Sequence, residues 1–312
     1  MGSLPPWPVV EELLLKLVLP AFGTSAALFL LVCFVTRSVA LRTMGGAAAL
    51  AAGLAAGNYG HELLTWWPLD AEAFPQGSAD ASAVPWWQVA RGYAALLPAT
   101  VLALCGGAAA AVLSPRTHGS MGLAIRLLTA LGCALWLSEV FPPWSLPVTI
   151  AVVFVAVSLS WEAVLQVKRI GTGRIALPVI AVIWGGTAAT VLVFAHSAKF
   201  SDLAALLTAA LFGVCLIAMI WNHSSGVFFA APSVFFPALM LGGAVNTFSE
   251  VPPLAFGLVA FAPCLLWLVH LPRIRRWPLR FQAVAAIIAV TIPCVAALVL
   301  TMRAESLYFE AE

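Results

Sequence analysis

Charge is what this chain has least of. Only 9% of its 312 residues are Asp, Glu, Lys or Arg, against about a quarter in soluble globular proteins. Hydrophobic residues make up 62% and the mean hydropathy is +1.03. Such a chain has too little polar surface to coat a core in water, so its class is membrane. The net charge of +2 suggests no nucleic-acid partner.

Other absences narrow the class further. Cys33, Cys105, Cys133, Cys215, Cys264 and Cys294 all lie in apolar segments, with no CxxC pair among them. They read as small hydrophobes, with no disulfide, metal site or cofactor expected. Residues 1–12 carry Glu11 and Glu12 but no Lys or Arg, the opposite of a basic leader, so a cleavable signal peptide is not expected. The opening Met1-Gly2-Ser3 has Pro6 where a myristoylation signal wants Ser or Thr. The longest polar stretch, residues 64–91, is too short for a soluble domain.

What is present is a series of apolar runs. A helix needs roughly 20 such residues to cross a bilayer. Ten segments qualify, near 17–36, 43–63, 92–113, 122–140, 148–166, 175–195, 203–221, 228–248, 254–271 and 281–301. The expected fold is an all-α polytopic membrane bundle of about ten transmembrane helices, forming a single transmembrane domain over residues 1–312. Residues 64–91 form an outer interfacial loop in that scheme.

Charge sets an orientation. Arg37, Arg42, Arg116, Arg126, Lys168, Arg169, Arg174, Arg273, Arg275, Arg276 and Arg280 all fall on one side of the ten-span scheme. Every acidic residue except Glu162 falls at or near the other. By the positive-inside rule the Arg-rich loops are cytoplasmic and both termini lie outside. The Ala-rich composition fits a bacterial inner (plasma) membrane. Trp66-Trp67 and Trp86-Trp87 bracket the outer loop, with Trp7 and Trp144 at the same level. Trp161, Trp221 and Trp277 are expected near the inner face, since indole rings settle at the headgroup layer.

Small residues mark packing faces. Gly45, Ala49, Gly53 and Gly57 recur every four residues in span 2, and Ala95, Ala99, Ala103, Gly107 and Ala111 do so in span 3. Small residues let helix backbones approach in lipid, so spans 2 and 3 are expected to pack tightly inside the bundle.

Polar candidates are few. Asn58, His61 and Glu62 close span 2; Asn58 and Glu62 share a face at i,i+4. They line an outer vestibule on one reading and form a hydrated helix end on the other. His61-Glu62 begins like HExxH, but Thr65 stands where the second His belongs. Glu139 ends span 4 at the interface. Glu162 lies about a turn inside span 5 and shares a face with Ser158 and Gln166. It either points into the bundle or snorkels toward Lys168 and Arg169. No carboxylate sits near mid-span, which argues against ion-driven coupling.

Asp70 and Glu72 in the outer loop loosely resemble the paired acidic residues of polytopic, lipid-linked-sugar glycosyltransferases. That resemblance implies metal binding or base catalysis at Asp70 and Glu72, without the large outer domain. Interrupted helices are the last signal. Pro98 and Gly106-Gly107 lie in span 3, and Pro232, Pro237 and Gly242-Gly243 followed by Asn246 lie in span 8. Two halves of five spans would be inverted relative to one another, with these as the third span of each. Matched interruptions point to a midplane substrate site.

Three functions follow as expectations. The first is a permease for a small neutral or amphipathic solute. The second is a non-catalytic subunit or scaffold, its partner membrane subunits docking at the Trp-rich loop 64–91. The third is a glycosyltransferase-like enzyme using Asp70 and Glu72. The lipid bilayer is the partner common to all three.

Overall fold

The computed structural model describes residues 11, 14–61, 96–113, 120–137, 146–169, 173–195, 198–221, 228–245 and 251–311. No strand occurs among them. In hydrocarbon no water can receive a backbone N–H or C=O, so apolar segments satisfy their own groups by coiling into helices. These are α1 (Leu14–Val35, opening with a π-helical turn Leu14–Val18), α2 (Val39–His61), α3 (Leu96–Leu113) and α4 (Ser120–Leu137). There follow α5 (Leu146–Arg169), α6 (Gly173–Phe194), α7 (Ala198–Ile220) and α8 (Ala230–Val245). The ninth is in two parts, Pro253–Ala260 and Ala262–His270, together α9. A single turn, Pro272–Arg275, leads to α10 (Leu279–Ala311).

Each predicted segment overlaps one of these helices in its described residues. Among the described residues, seven helices are long and apolar enough to cross a membrane, and the two-part α9 brings the number to eight. The described parts of the other two, α3 and α8, are shorter apolar helices. The protein is an all-α polytopic membrane bundle.

Neighbour relations give the bundle a simple plan. Helices α2, α1, α7, α6, α10, α9, α5, α4 and α3 follow one another in a ring, which α3 closes against α2. Inside it runs α8, touching α3, α5, α9, α6 and α7. Residues 228–240 are buried without exception. The neighbours of α8 shield these residues from lipid.

The small-residue stripe of α2 makes close helix contacts. A Cβ on Gly53 would stand 2.7 Å from the Ala21 carbonyl oxygen, and one on Gly57 would stand 2.9 Å from that of Leu17. A Cβ on Gly213 of α7 would reach the Phe22 carbonyl at 2.7 Å. The stripe therefore seats α2 on α1, in a close trio with α7, and not on α3. The seam between α2 and α3 is loose. An apolar groove of about 520 Å³ opens there, lined by Met44, Ala48, Val101, Leu104 and Cys105 among others. Small side chains on a face permit close approach but do not choose the neighbour, and here consecutive α1 took the place.

Two expectations change. Among the described residues, spans 3 and 8 are not interrupted: α3 is continuous through Gly106-Gly107, and α8 through Pro237 and Gly242-Gly243. Trp161 does not belong to an interfacial girdle; it is 2% exposed, turned into the bundle from α5.

Candidate functional site at the break in the ninth helix

A proline inside a span withdraws one backbone donor and leaves the carbonyl four residues earlier without its helical partner. In α9 that proline is Pro263. Its missing N–H deserts the Val259 carbonyl in α register and the Ala260 carbonyl in 3₁₀ register. The helix gives way at this point. Its two parts meet at Phe261 with a bend of 43°, and Phe261 takes φ −100°, ψ 4°. The second part continues for nine residues as 3₁₀ helix, where runs beyond about four residues are uncommon. The steeper 3₁₀ rise lets these eighteen residues reach about 30 Å along their contour, a full hydrocarbon thickness.

Both deserted carbonyls are taken up by side chains from other helices. Trp184 of α6 donates its Nε1–H to the Val259 carbonyl at 2.8 Å. Ser160 of α5 donates its hydroxyl to the Ala260 carbonyl at 3.5 Å, the long limit for such a bond. Trp184 is fully buried and braced edge-on by Phe236 of α8, with ring centroids 4.8 Å apart at 69°. The Cys264 thiol lies beside the Ser160 hydroxyl. Irregular backbone at membrane depth is tolerated only where protein or water satisfies it. Here α5 and α6 do so.

Several other hydroxyls in the spans are turned back onto their own helices. Thr100, Thr129, Thr190, Thr208, Thr291 and Thr301 each donate to the carbonyl four residues earlier. Ser158 Oγ, Ser233 Oγ and His270 Nε2 are buried without a hydrogen-bond partner among the described residues.

Two residues beyond Ser160 along α5, Glu162 pairs with Arg126 of α4, Oε1 to Nε 2.5 Å. The side chains are 20% and 12% exposed, respectively. The side chains of Lys168 and Arg169 lie outside the described residues. Adjacent α4 brings a guanidinium to the same depth, nearly two turns from each helix end, and the two charges neutralise each other in place. This pair locks α4 to the helix that carries Ser160.

The other predicted positions scatter. Asn58 and His61 fall in the last turn of α2, and Pro98 in the first turn of α3, with side chains outside the described residues. Glu62, Asp70, Glu72, Glu139, Asn246 and the loop 64–91 lie outside the described residues altogether. Gly106 faces Thr129 of α4, and Gly107 is buried. Pro237 and Gly243 are buried inside α8; a Cβ on Gly243 would meet Phe256 of α9 at 2.6 Å. Gly242, next to it, is half-buried. Of the predicted set, then, Gly243 reaches α9, and Glu162 lies near the break along α5. Reading the sequence by span missed Trp184, Ser160 and Pro263. A signal existed: Trp184 stands in the middle of span 6, far from either headgroup layer, where an indole N–H needs a partner.

Among the described residues no group of three or more His, Cys, Asp or Glu side chains is placed to hold a metal ion. Comparison with protein-family models, curated proteins and solved structures finds no match to this chain.

Proposed function

We propose that the protein is a permease for a small, largely neutral or amphipathic solute, and that the solute passes at the break in α9. The observation that carries this reading is the pair of deserted carbonyls, Val259 and Ala260, held by Trp184 and Ser160. Discontinuous helices are where carriers expose backbone groups to cargo. A solute with an N–H or O–H donor can replace the indole or the hydroxyl at these carbonyls without leaving either one bare. Glu162 is engaged by Arg126, which favours a neutral cargo over a cation. Positive-inside charge supports Arg-rich ends in the cytoplasm, both termini outside, and residence in a plasma membrane, bacterial by its Ala-rich composition.

The test is osmotic swelling of vesicles carrying the purified protein, challenged with a panel of small neutral solutes. At least one solute should enter faster than into protein-free vesicles, and Trp184→Phe should change that rate several-fold. Entry at protein-free rates across the whole panel would overturn the reading.

A second reading, a non-catalytic subunit of a larger membrane complex, is favoured by the loose α2–α3 seam. Its apolar groove has room for side chains of a partner helix, and the Trp-rich loop 64–91 connects the same two helices. Mass measurement of the gently extracted particle separates the two readings. Other proteins in fixed ratio support a subunit; a bare monomer or homo-oligomer counts against one. The enzyme reading rests on Asp70 and Glu72 alone.

A further inference from the structure

The arginines of the described residues have different duties. Arg42 donates Nε–H to the Thr36 carbonyl at 2.8 Å and an Nη2–H to the Cys33 carbonyl at 3.2 Å, closing the C-terminus of α1. Arg126 neutralises Glu162. Arg273, Arg275, Arg276 and Arg280, in the turn between α9 and α10, are all exposed. They have no acidic partner among the described residues.

This turn is built rather than slack. Gln282 is 5% exposed, and its side-chain amide donates to the carbonyls of Arg275 at 3.1 Å and Trp277 at 2.7 Å. Backbone bonds from Arg275 to Leu271 and from Trp277 to Ile274 tie the rest. Four guanidinium groups are thereby held within eight residues on a fixed frame. Around them stand exposed apolar side chains: Trp267 at 44%, Trp277 at 48%, Leu279 at 58% and Phe281 at 62%. Cationic forks above a skirt of indole and alkyl groups match the headgroup layer, where phosphate oxygens lie directly over acyl chains. A guanidinium offers paired donors that fit phosphate in two-point contact.

We propose that the α9–α10 turn is a binding site for anionic phospholipid of the protein's own bilayer, the headgroup phosphates held by Arg273, Arg275, Arg276 and Arg280. It stands independently of the permease reading.

The experiment uses the full-length protein in a mild nonionic detergent, mixed with equal amounts of phosphatidylcholine and phosphatidylglycerol of identical acyl chains. Retained lipid is weighed by mass spectrometry of the intact particle. At about one kcal/mol, or about fivefold, per basic residue, phosphatidylglycerol should exceed phosphatidylcholine by roughly tenfold or more. Raising the volatile salt from 50 mM to 500 mM, where the Debye length falls to several ångströms, should collapse most of that excess. The R273Q/R275Q/R276Q/R280Q protein should lose the preference, and R275Q/R276Q should lose part of it. R37Q, at an exposed arginine of the α1–α2 turn, should keep it. Equal retention of the two lipids by the wild-type protein overturns the proposal even if the fourfold variant fails to insert. So does an excess that persists in the Gln variants.

Discussion

Helices α8 and α9 carry the same perturbation and answer it differently. Pro237 in α8 takes the donor from the Ser233 carbonyl, as Pro263 in α9 takes it from Val259. Yet α8 stays continuous, while α9 breaks with a 43° bend and changes to 3₁₀ helix. The difference lies in the surroundings. Trp184 and Ser160 reach the carbonyls at the α9 break from two neighbouring helices. At α8, the hydroxyl of Ser233 itself finds no partner, in an interior crowded with Phe228, Phe229, Phe235 and Phe236. Proline supplies the opportunity for a break; donors on other helices decide whether the bilayer tolerates it.

That comparison can be sharpened by substitution, with stability read from denaturation of the detergent-solubilised protein. The largest loss should come from Trp184→Ala, about 3–5 kcal/mol, because it removes a fully buried ring as well as a donor. Trp184→Phe keeps most of the packing and should cost about 1–3 kcal/mol for the bare Val259 carbonyl. Adding Pro263→Ala, which restores the missing N–H, should recover about 1 kcal/mol of that loss; strict additivity would disconnect the indole from the break. Glu162→Gln should cost about 1–2 kcal/mol by leaving a mostly buried guanidinium unpaired. The double variant Arg126→Gln with Glu162→Gln should cost less than the single. Ser160→Ala should cost only about 0.5 kcal/mol, as befits a bond at 3.5 Å. Smallest of all, Pro237→Ala should be neutral or slightly stabilising, since α8 is already continuous. A loss above about 1 kcal/mol there would mean that Pro237 also shapes its helix.

The all-α membrane class was legible because hydropathy and helix length are local properties. Which faces meet was not. The Gly45–Gly57 stripe announced a close contact but could not say that α1 and α7 would fill it. Interruptions were sought where Gly and Pro are densest, in spans 3 and 8, and occurred at Pro263 in span 9. Glu162 was recognised as unusual, but Arg126 was read only as one of the charges on the Arg-rich side, because pairing across two helices needs their relative depth. Trp184 and Ser160 matter through what they touch across the bundle, and spacing along the chain does not carry that information.

The central claim is that the α9 break, and not merely the bundle around it, is where solute passes. Swelling of vesicles bearing the Pro263→Ala protein tests it most directly, using whichever neutral solute the wild-type protein admits. With the donor restored and α9 straightened, entry should fall toward the protein-free rate while the amount of inserted protein stays constant. Entry at the wild-type rate through a protein with the donor restored would contradict the account.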